Sequence, residues 1–451
     1  MEPSKKTSRR RFLENTAAIG AIGAIGASQL IKSCSPEESK STGEITEPSF
    51  LATAPEGQAL KAGVIGCGGR GTGAAINHLD AGPGLSIVAA ADVFQDRVDA
   101  FRKKLKDVKD VDLEDSMCFT GFDAYKRLIE TDVDIVILAT PPYFRPEHFQ
   151  ACIEARKHVF MEKPVAVDPV GARAVMAASK QAEAAGLCVV TGTQRRHQWS
   201  YNNLYARVKA GMIGDITSTN VYWNMGKLWH KEQASGWTEM EYMIRDWVNW
   251  TWLSGDHIVE QHVHNIDVSN WFVGGTPVEA VGMGSRLRRP TGDCYDNFSI
   301  DFIYKKQLHM GSMCRQINDC ANSVSEHLTG TNGIMIAGDG RSHLFDHDAN
   351  VLYEYTSPVD AEGERLENDP YVQEHIDLVA AIRTGNQIVE AEETAKSVLT
   401  AIMGREAAYT GKKVTWEEMM GSSMKLGPEG EIKLGPVAMN KVPPIAGSAP
   451  E

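Results

Sequence analysis

An apolar run, Leu60-Lys-Ala-Gly-Val-Ile65, breaks directly into Gly66-x-Gly68-x-x-Gly71, and this junction narrows the fold more than any other feature of the chain. A short strand ending in glycines at this spacing starts a strand–turn–helix unit. The first glycine permits the tight turn, the second lets backbone approach a pyrophosphate, and the third lets the next helix pack on the strand. The helix expected over about 73–79 points its N-terminus at phosphate. Alone the motif is weak, because any glycine-rich turn has this composition. A second apolar strand, 85–91, strengthens it by ending at Asp92, about twenty residues on, where a carboxylate bonds ribose hydroxyls and repels a 2′-phosphate. NAD is therefore expected in preference to NADP. The other reading of Asp92 is a cap for the following helix. The expected cofactor contacts here are Gly66, Gly68, Gly69, Arg70, Gly71 and Asp92.

The alternation continues. Strands at 133–139, 158–161 and 187–191 end in Thr140-Pro141-Pro142, in Glu162-Lys163-Pro164 and near Arg195-Arg196-His197, with helices expected over 122–130, 146–157 and 169–185. Near-continuous apolar strands alternating with helices imply a parallel, doubly wound sheet with ligands beyond the strand carboxyl ends. Farther on, 278–283, 297–304 and 308–313 alternate apolar and polar residues, as an antiparallel sheet would. Helical spacing returns at 371–383 and 394–409, and Gly411 ends the second of these. From 421 Pro and Gly accumulate, which suggests an extended tail. The expected division is a Rossmann domain over 59–192, a second α/β domain over 193–417 and a tail over 418–451. A chain of 451 residues suits two domains plus tails.

Residues 1–34 read as a targeting segment. Ser8-Arg9-Arg10-Arg11-Phe12-Leu13 precedes a Gly-rich apolar stretch, the pattern of a twin-arginine export signal. Ile31-Lys32-Ser33-Cys34 has the form of a relaxed lipobox, with Lys32 where a small residue is usual. Cys34 is then either a lipid anchor or an ordinary leader cysteine. Residues 35–58 read as a polar linker. The expected location is periplasmic or membrane-anchored. A net charge of −13 argues against nucleic acid, which needs a basic footprint. The eight cysteines are scattered without a CxxC pair, so neither a disulfide framework nor a zinc-thiolate site is supported.

The glycine fingerprint, Ala139-Thr140-Pro141-Pro142 and above all Glu162-Lys163-Pro164 resemble the glucose–fructose oxidoreductase / inositol dehydrogenase (Gfo/Idh/MocA) family, over about 60–416. The resemblance implies a second α/β domain whose large, mostly antiparallel open sheet closes over the nicotinamide, and an oligomer formed on that sheet's outer face. It places Thr140, Pro141, Glu162 and Lys163 at the cofactor, with Lys163 touching the substrate too. Glu260-x-His262-x-His264-x-x-Asp267 matches the family's acid–His–Asp pattern at i, i+4 and i+7, with Glu260 where Asp is usual and His262 where a small residue is usual. On one helix that spacing would put Glu260, His264 and Asp267 on one face. The resemblance makes His264 the base that takes a hydroxyl proton as hydride leaves, a task suited to imidazole's pKa. Glu260 would bind or orient substrate. Arg196, His262 and Asp267 are expected as substrate contacts, with a domain-hinge ion pair the other reading of Arg196.

His257, His262 and His264 beside Glu260 and Asp267 also invite a metal reading. His262 does not share the face of the other two, and the family uses no metal, so none is expected. The tryptophans from Trp223 to Trp252 suit a sugar cleft, core packing or a subunit contact. Three functions follow. The first is an oxidoreductase on a sugar, polyol or glycoside with tightly held NAD, since outside the cytoplasm little free NAD is available. The second is a redox-neutral glycoside hydrolase or lyase that oxidises C3 transiently, like the NAD-dependent α-N-acetylgalactosaminidases of the same superfamily. Those enzymes depart from the E-K-P and glycine motifs that this chain keeps. The third is a non-catalytic binding lipoprotein, which degraded lysine and histidine positions would have supported.

Overall fold

The structure, a computed structural model, describes residues 43–359 and 362–447; the twin-arginine leader and Cys34 lie outside the described residues. No helix among the described residues is long and apolar enough to cross a membrane.

The first half alternates as its pattern requires: β1 (Leu60–Ile65), α1 (Gly69–Asp80), β2 (Leu85–Asp92), α2 (Gln95–Lys109), β3 (Cys118–Thr120), α3 (Ala124–Ile129), β4 (Ile135–Leu138), α4 (Arg145–Glu154), β5 (His158–Met161), α5 (Pro169–Ala184) and β6 (Val189–Thr191). The strands pair in parallel in the order β3-β2-β1-β4-β5-β6. This order reverses direction beside β1, where dinucleotides bind in such sheets. All four residues of β4 are fully buried, which is why that strand is an unbroken apolar run. Helix α1 starts at Gly69, earlier than the expected 73, because the second half of the glycine loop is already helical. Helix α2 was hidden by its charge; only Val98, Phe101 and Leu105 are buried, a stripe at i, i+3 and i+7. Helix α5 begins where Asp168 accepts the Gly171 N–H at 2.7 Å, with Pro169 in the first turn.

The second half comprises α6 (Trp199–Lys209), β7 (Ile216–Met225), α7 (Glu239–Arg245), α8 (Thr251–Ser254), α9 (His257–Glu260), α10 (Val263–Val273), β8 (Glu279–Ser285), β9 (Asn297–Ile303), β10 (His309–Gln316), β11 (Ser323–Gly330), β12 (Ile334–Gly338), β13 (Arg341–Phe345), β14 (Val351–Glu354), α11 (Pro370–Thr384), α12 (Ala391–Thr410), β15 (Val414–Thr415) and α13 (Trp416–Gly421). Its sheet runs β14-β13-β12-β11-β7-β10-β9-β8-β15, antiparallel except for the β7–β10 pair. One face carries α10 and α12. Helix α12 is buried on almost every side, with Val398, Leu399, Ile402 and Met403 at zero exposure, because it lies between α5 and the second sheet. Each such side chain stabilises the joint by about 1.5–3 kcal/mol.

Residues 43–58, read as linker, are coil but not loose. Phe50 stacks on Trp199 at 5.1 Å, Glu47 pairs with Arg207, and Ala54 is buried with its N–H on the Ala81 carbonyl. Two apolar anchors in a polar stretch are enough to dock it. The tail is extended, as its composition implies, and folds back on both domains: Leu426 N–H donates to Asp168, and Tyr295 donates to the Pro444 carbonyl.

Candidate active site

The three fingerprint glycines do separate work. Gly66 has φ +99°, and a Cβ there would sit 2.6 Å from the backbone at Ala139 and Thr140. A Cβ on Gly71 would fall 1.8 Å from the Gly66 carbonyl oxygen, so only glycine lets α1 pack this close. At Gly68 and Gly69 a Cβ would meet nothing within 4 Å. The loop therefore faces open space, and α1 begins there with neither a side-chain cap nor an acidic residue in its first turn. Free N–H groups bordering a void fit a pyrophosphate.

Asp92, at the end of β2, accepts the Cys67 N–H at 2.8 Å on one oxygen and the Phe94 N–H at 3.0 Å on the other. The ribose and cap readings thus coincide in part: one carboxylate ties the glycine loop to the start of α2 and lines the cleft with its remaining lone pairs. Burial pushes its pKa up, against the pull of those N–H groups. A cavity of about 380 Å³ runs from the glycine loop past Asp92 to Thr140 and Pro141. These residues fit the dinucleotide the motif implies.

Arg70 lines this cavity, and its guanidinium is held by neighbouring side chains. It bonds the Glu162 carboxylate, lies 4.8 Å from the centre of the Tyr371 ring and approaches Glu374 at 3.7 Å. The expected cofactor contact at Arg70 therefore falls on its place in the first turn of α1 at the cavity wall, while buried carboxylates hold its side chain. Arg145, which the sequence did not flag, is fully buried and donates to the carbonyls of Thr140, Glu162 and Pro164 at 2.7–2.9 Å. It staples the T-P-P and E-K-P turns together, a role with no local sequence signal.

Lys163, two residues past β5, donates to the Glu260 main-chain carbonyl and lies 3.2 Å from Glu260 Oε1. The other carboxylate oxygen of Glu260 is buried without a partner among the described residues. His264 is buried against Trp223, the rings nearly parallel with centroids 5.6 Å apart. Burial, then the charges of Lys163, Arg195 and Arg70, push its pKa well below the ordinary imidazole value. His264 is thus a neutral base throughout the physiological range, rather than a group poised at it.

Glu260, His264 and Asp267 do not share one helix. Helix α9 ends at Glu260, the His262 N–H reaches back to the His257 carbonyl in a wide turn, and α10 begins at Val263. The break separates the roles. His262 is wholly buried, bonded to Ser312 Oγ at 2.8 Å and lowered by burial to about 3, so the expected substrate contact is corrected to a core histidine under β10. Arg196 and Asp267 hold each other by two hydrogen bonds of 2.8 and 2.9 Å, and Ser397 donates to the same carboxylate. They form the domain-joint ion pair rather than two substrate contacts. Arg195, the neighbouring arginine, pairs with buried Glu326 at 2.9 Å and lies 5.7 Å from the Trp223 ring centre. His257 bonds Asp256. No group of three His, Cys, Asp or Glu side chains among the described residues could hold a metal ion.

Residues 60–191 match the oxidoreductase family GFO_IDH_MocA, described as an NAD-binding Rossmann fold, and residues 201–336 match the GFO/IDH/MocA C-terminal domain. Among curated relatives, the chain is 30% identical to the 2,7-anhydro-N-acetylneuraminate hydratase of Escherichia coli, over 48% of this chain and 57% of that one. It is 26% identical to a glycosyl hydrolase family 109 protein of Solibacter usitatus, over 53% and 52%. It is 23% identical to the NAD-dependent scyllo-inositol 2-dehydrogenase of Bacillus subtilis, over 54% and 63%. The chain spans about half the length of the curated relatives it matches. Its fold is shared by the scyllo-inositol dehydrogenase of Lactobacillus casei solved with NAD(H) and scyllo-inositol, with TM-score 0.59, 21% identity and coverage of 79% of this chain and 99% of that one.

Proposed function

The chain belongs to the GFO/IDH/MocA oxidoreductase family, and from that premise we propose that it is an exported, NAD-dependent oxidoreductase that oxidises a secondary hydroxyl of a sugar, polyol or glycoside. The observation that carries the proposal is the buried Lys163–Glu260 pair just past the carboxyl end of β5, with the lysine near enough to buried His264 for its charge to help lower that imidazole's pKa. NAD, when bound along Gly66–Gly71 and Asp92, supplies the acceptor for the carbinol hydride. His264 takes the hydroxyl proton; its depressed pKa leaves the imidazole lone pair free to do so. Lys163 fixes the Glu260 carboxylate and presents its ammonium to the reacting oxygen. The unpaired Glu260 oxygen accepts from a neighbouring hydroxyl, which selects for a polyol over a simple alcohol.

Export through the twin-arginine route, which carries folded proteins, fits a cofactor loaded inside the cell and regenerated within each cycle. Anchoring at Cys34 and pairing of subunits through the outer face of the second sheet belong to the same proposal.

The second reading is a redox-neutral glycoside hydrolase or lyase, in which oxidation at C3 acidifies the C2 proton, the aglycone is eliminated, and addition of water and reduction follow. Likeness to the family 109 protein and to the hydratase favours it. One experiment separates the two: the purified protein is denatured to assay released nicotinamide, and aryl glycosides and free sugars are scanned without added cofactor. Bound NAD that a free sugar reduces, with no aryl release, supports the oxidoreductase. Aryl release with NAD unchanged at the end overturns it in favour of the hydrolase or lyase.

A further inference from the structure

The cavity at the glycine loop has walls from both domains. Its floor comes from the Rossmann half: Asp92, Phe94, Phe122 and Phe144. Its roof is Trp229, Lys231, Ile244, Arg245 and Trp247, all from the segment between β7 and α8. Ligand clefts of this sheet type lie open beyond the strands; this one is covered at the Asp92 end, away from Lys163 and His264. We infer that this roof is a retention device for the adenosine end of the dinucleotide, latched shut by the C-terminal tail. The inference rests on the assignment of NAD to this cleft.

Two attachments hold the roof. The first joins it to the floor. Arg245, at the end of α7, bonds Asp96 at 2.8 and 2.9 Å and lies 3.9 Å from the centre of the Phe94 ring. The Asp96 side chain is largely exposed, and an ion pair in that setting contributes little. The second attachment lies behind α7. Glu239, in its first turn, accepts the Val437 N–H at 2.8 Å and pairs with Lys441, while the Met240 N–H donates to the Gly435 carbonyl at 3.0 Å. Val437 is buried in one apolar cluster with Met240, Met243, Ile244, Trp250 and Phe94. The tail therefore completes a small core whose other side is the roof and whose base is the floor of the cofactor cavity. Without it, α7 would expose an apolar face and hold the floor only through the Arg245–Asp96 pair and the packing around Phe94. Trp229 and Trp247 close the remaining edge, their rings meeting edge to face at 6.2 Å.

Such a latch acts on release more than on encounter, because it must open before the ligand leaves. The test is the dissociation rate of NADH, followed by fluorescence after displacement with excess unlabelled cofactor, in the full-length protein and in Val437→Ser and Arg245→Ala. The expected result is release about tenfold faster or more in Val437→Ser, with a smaller increase in Arg245→Ala. Rates within about twofold of the parent in both folded variants would overturn the latch. If Val437→Ser does not fold, hydrogen exchange on the parent protein decides instead. Added NADH should slow exchange in 239–245 and 432–441 together, and exchange unchanged in both segments would overturn the inference. A parent protein that takes up no NADH refutes the cofactor assignment itself, whereas uptake with unaffected release refutes only the latch.

Discussion

Lys163 and Glu260 join the two domains: the ammonium just past the end of β5 donates to both the main-chain and the side-chain oxygens of the residue that closes α9. The pair is almost wholly buried, so each partner depends on the other. Replacing Lys163 with Ala should abolish turnover while NAD stays bound, and should lower stability by about 3 kcal/mol, because a buried carboxylate loses its cation. Kinetics, cofactor content and denaturant titration check this. Loss of the cofactor instead would mean that Lys163 mainly holds the cleft in shape.

Asp92→Ala should reduce the preference for NAD over NADP by about tenfold or more, the worth of a hydrogen bond to a charged acceptor. It also frees the Cys67 and Phe94 N–H groups, so affinity for both cofactors should fall. An unchanged NAD/NADP ratio of kcat/KM would contradict the ribose assignment.

Arg196→Ala should act on stability rather than on substrate. Removing it leaves Asp267 buried and unpaired, a loss of about 3 kcal/mol. Thermal unfolding should shift strongly while KM changes little. A raised KM with unchanged Tm would restore Arg196 to the substrate site.

Stability should fall as the medium is acidified below about pH 6.5. Burial lowers His78 to about 4 and His148 and His262 to about 3, and it pushes His264 and His375 well below the ordinary imidazole value. Between those values and 6.5 the unfolded chain binds more protons than the folded one, so each group removes up to about 1.4 kcal/mol per pH unit. His197 has the opposite sign. Burial alone would lower it, but Glu390 and Asp377 raise it well above 6.5, so its stabilisation is present at low pH and is lost as pH rises through the raised value. Buried Glu374, raised well above the ordinary carboxylate value, and Asp293, raised to about 6, share the sign of His197, and the five lowered histidines outweigh these three. Urea midpoints measured from pH 8 to pH 5 should decline, and a flat profile would contradict the account.

What the sequence revealed was local. Strand β1, the glycines, Asp92 and the E-K-P turn are set by steric and spacing rules within a few residues, and the structure keeps their geometry. The misreadings were tertiary. The spacing of Glu260, His264 and Asp267 is that of a helix, yet the break at Gln261 is imposed by packing under β10, which also claims His262. Nothing in the run Arg195-Arg196 says which arginine meets Asp267 and which meets Glu326. Strand β11 enters the sheet against β7, far back in the chain, with β12–β14 following as local hairpins, and the tail docks on Glu239 from 198 residues away.

The central claim is that His264 takes a proton from a polyol hydroxyl as bound NAD is reduced. Absorbance at 340 nm tests it, with a panel of free sugars and inositols mixed with the NAD-loaded parent protein and with His264→Ala side by side. At least one polyol should yield NADH in the parent, with a rate about 10²–10⁴-fold lower in the variant and NADH binding unchanged. Equal rates in the two proteins would contradict the role of His264, and the absence of NADH from any polyol would contradict the oxidation itself.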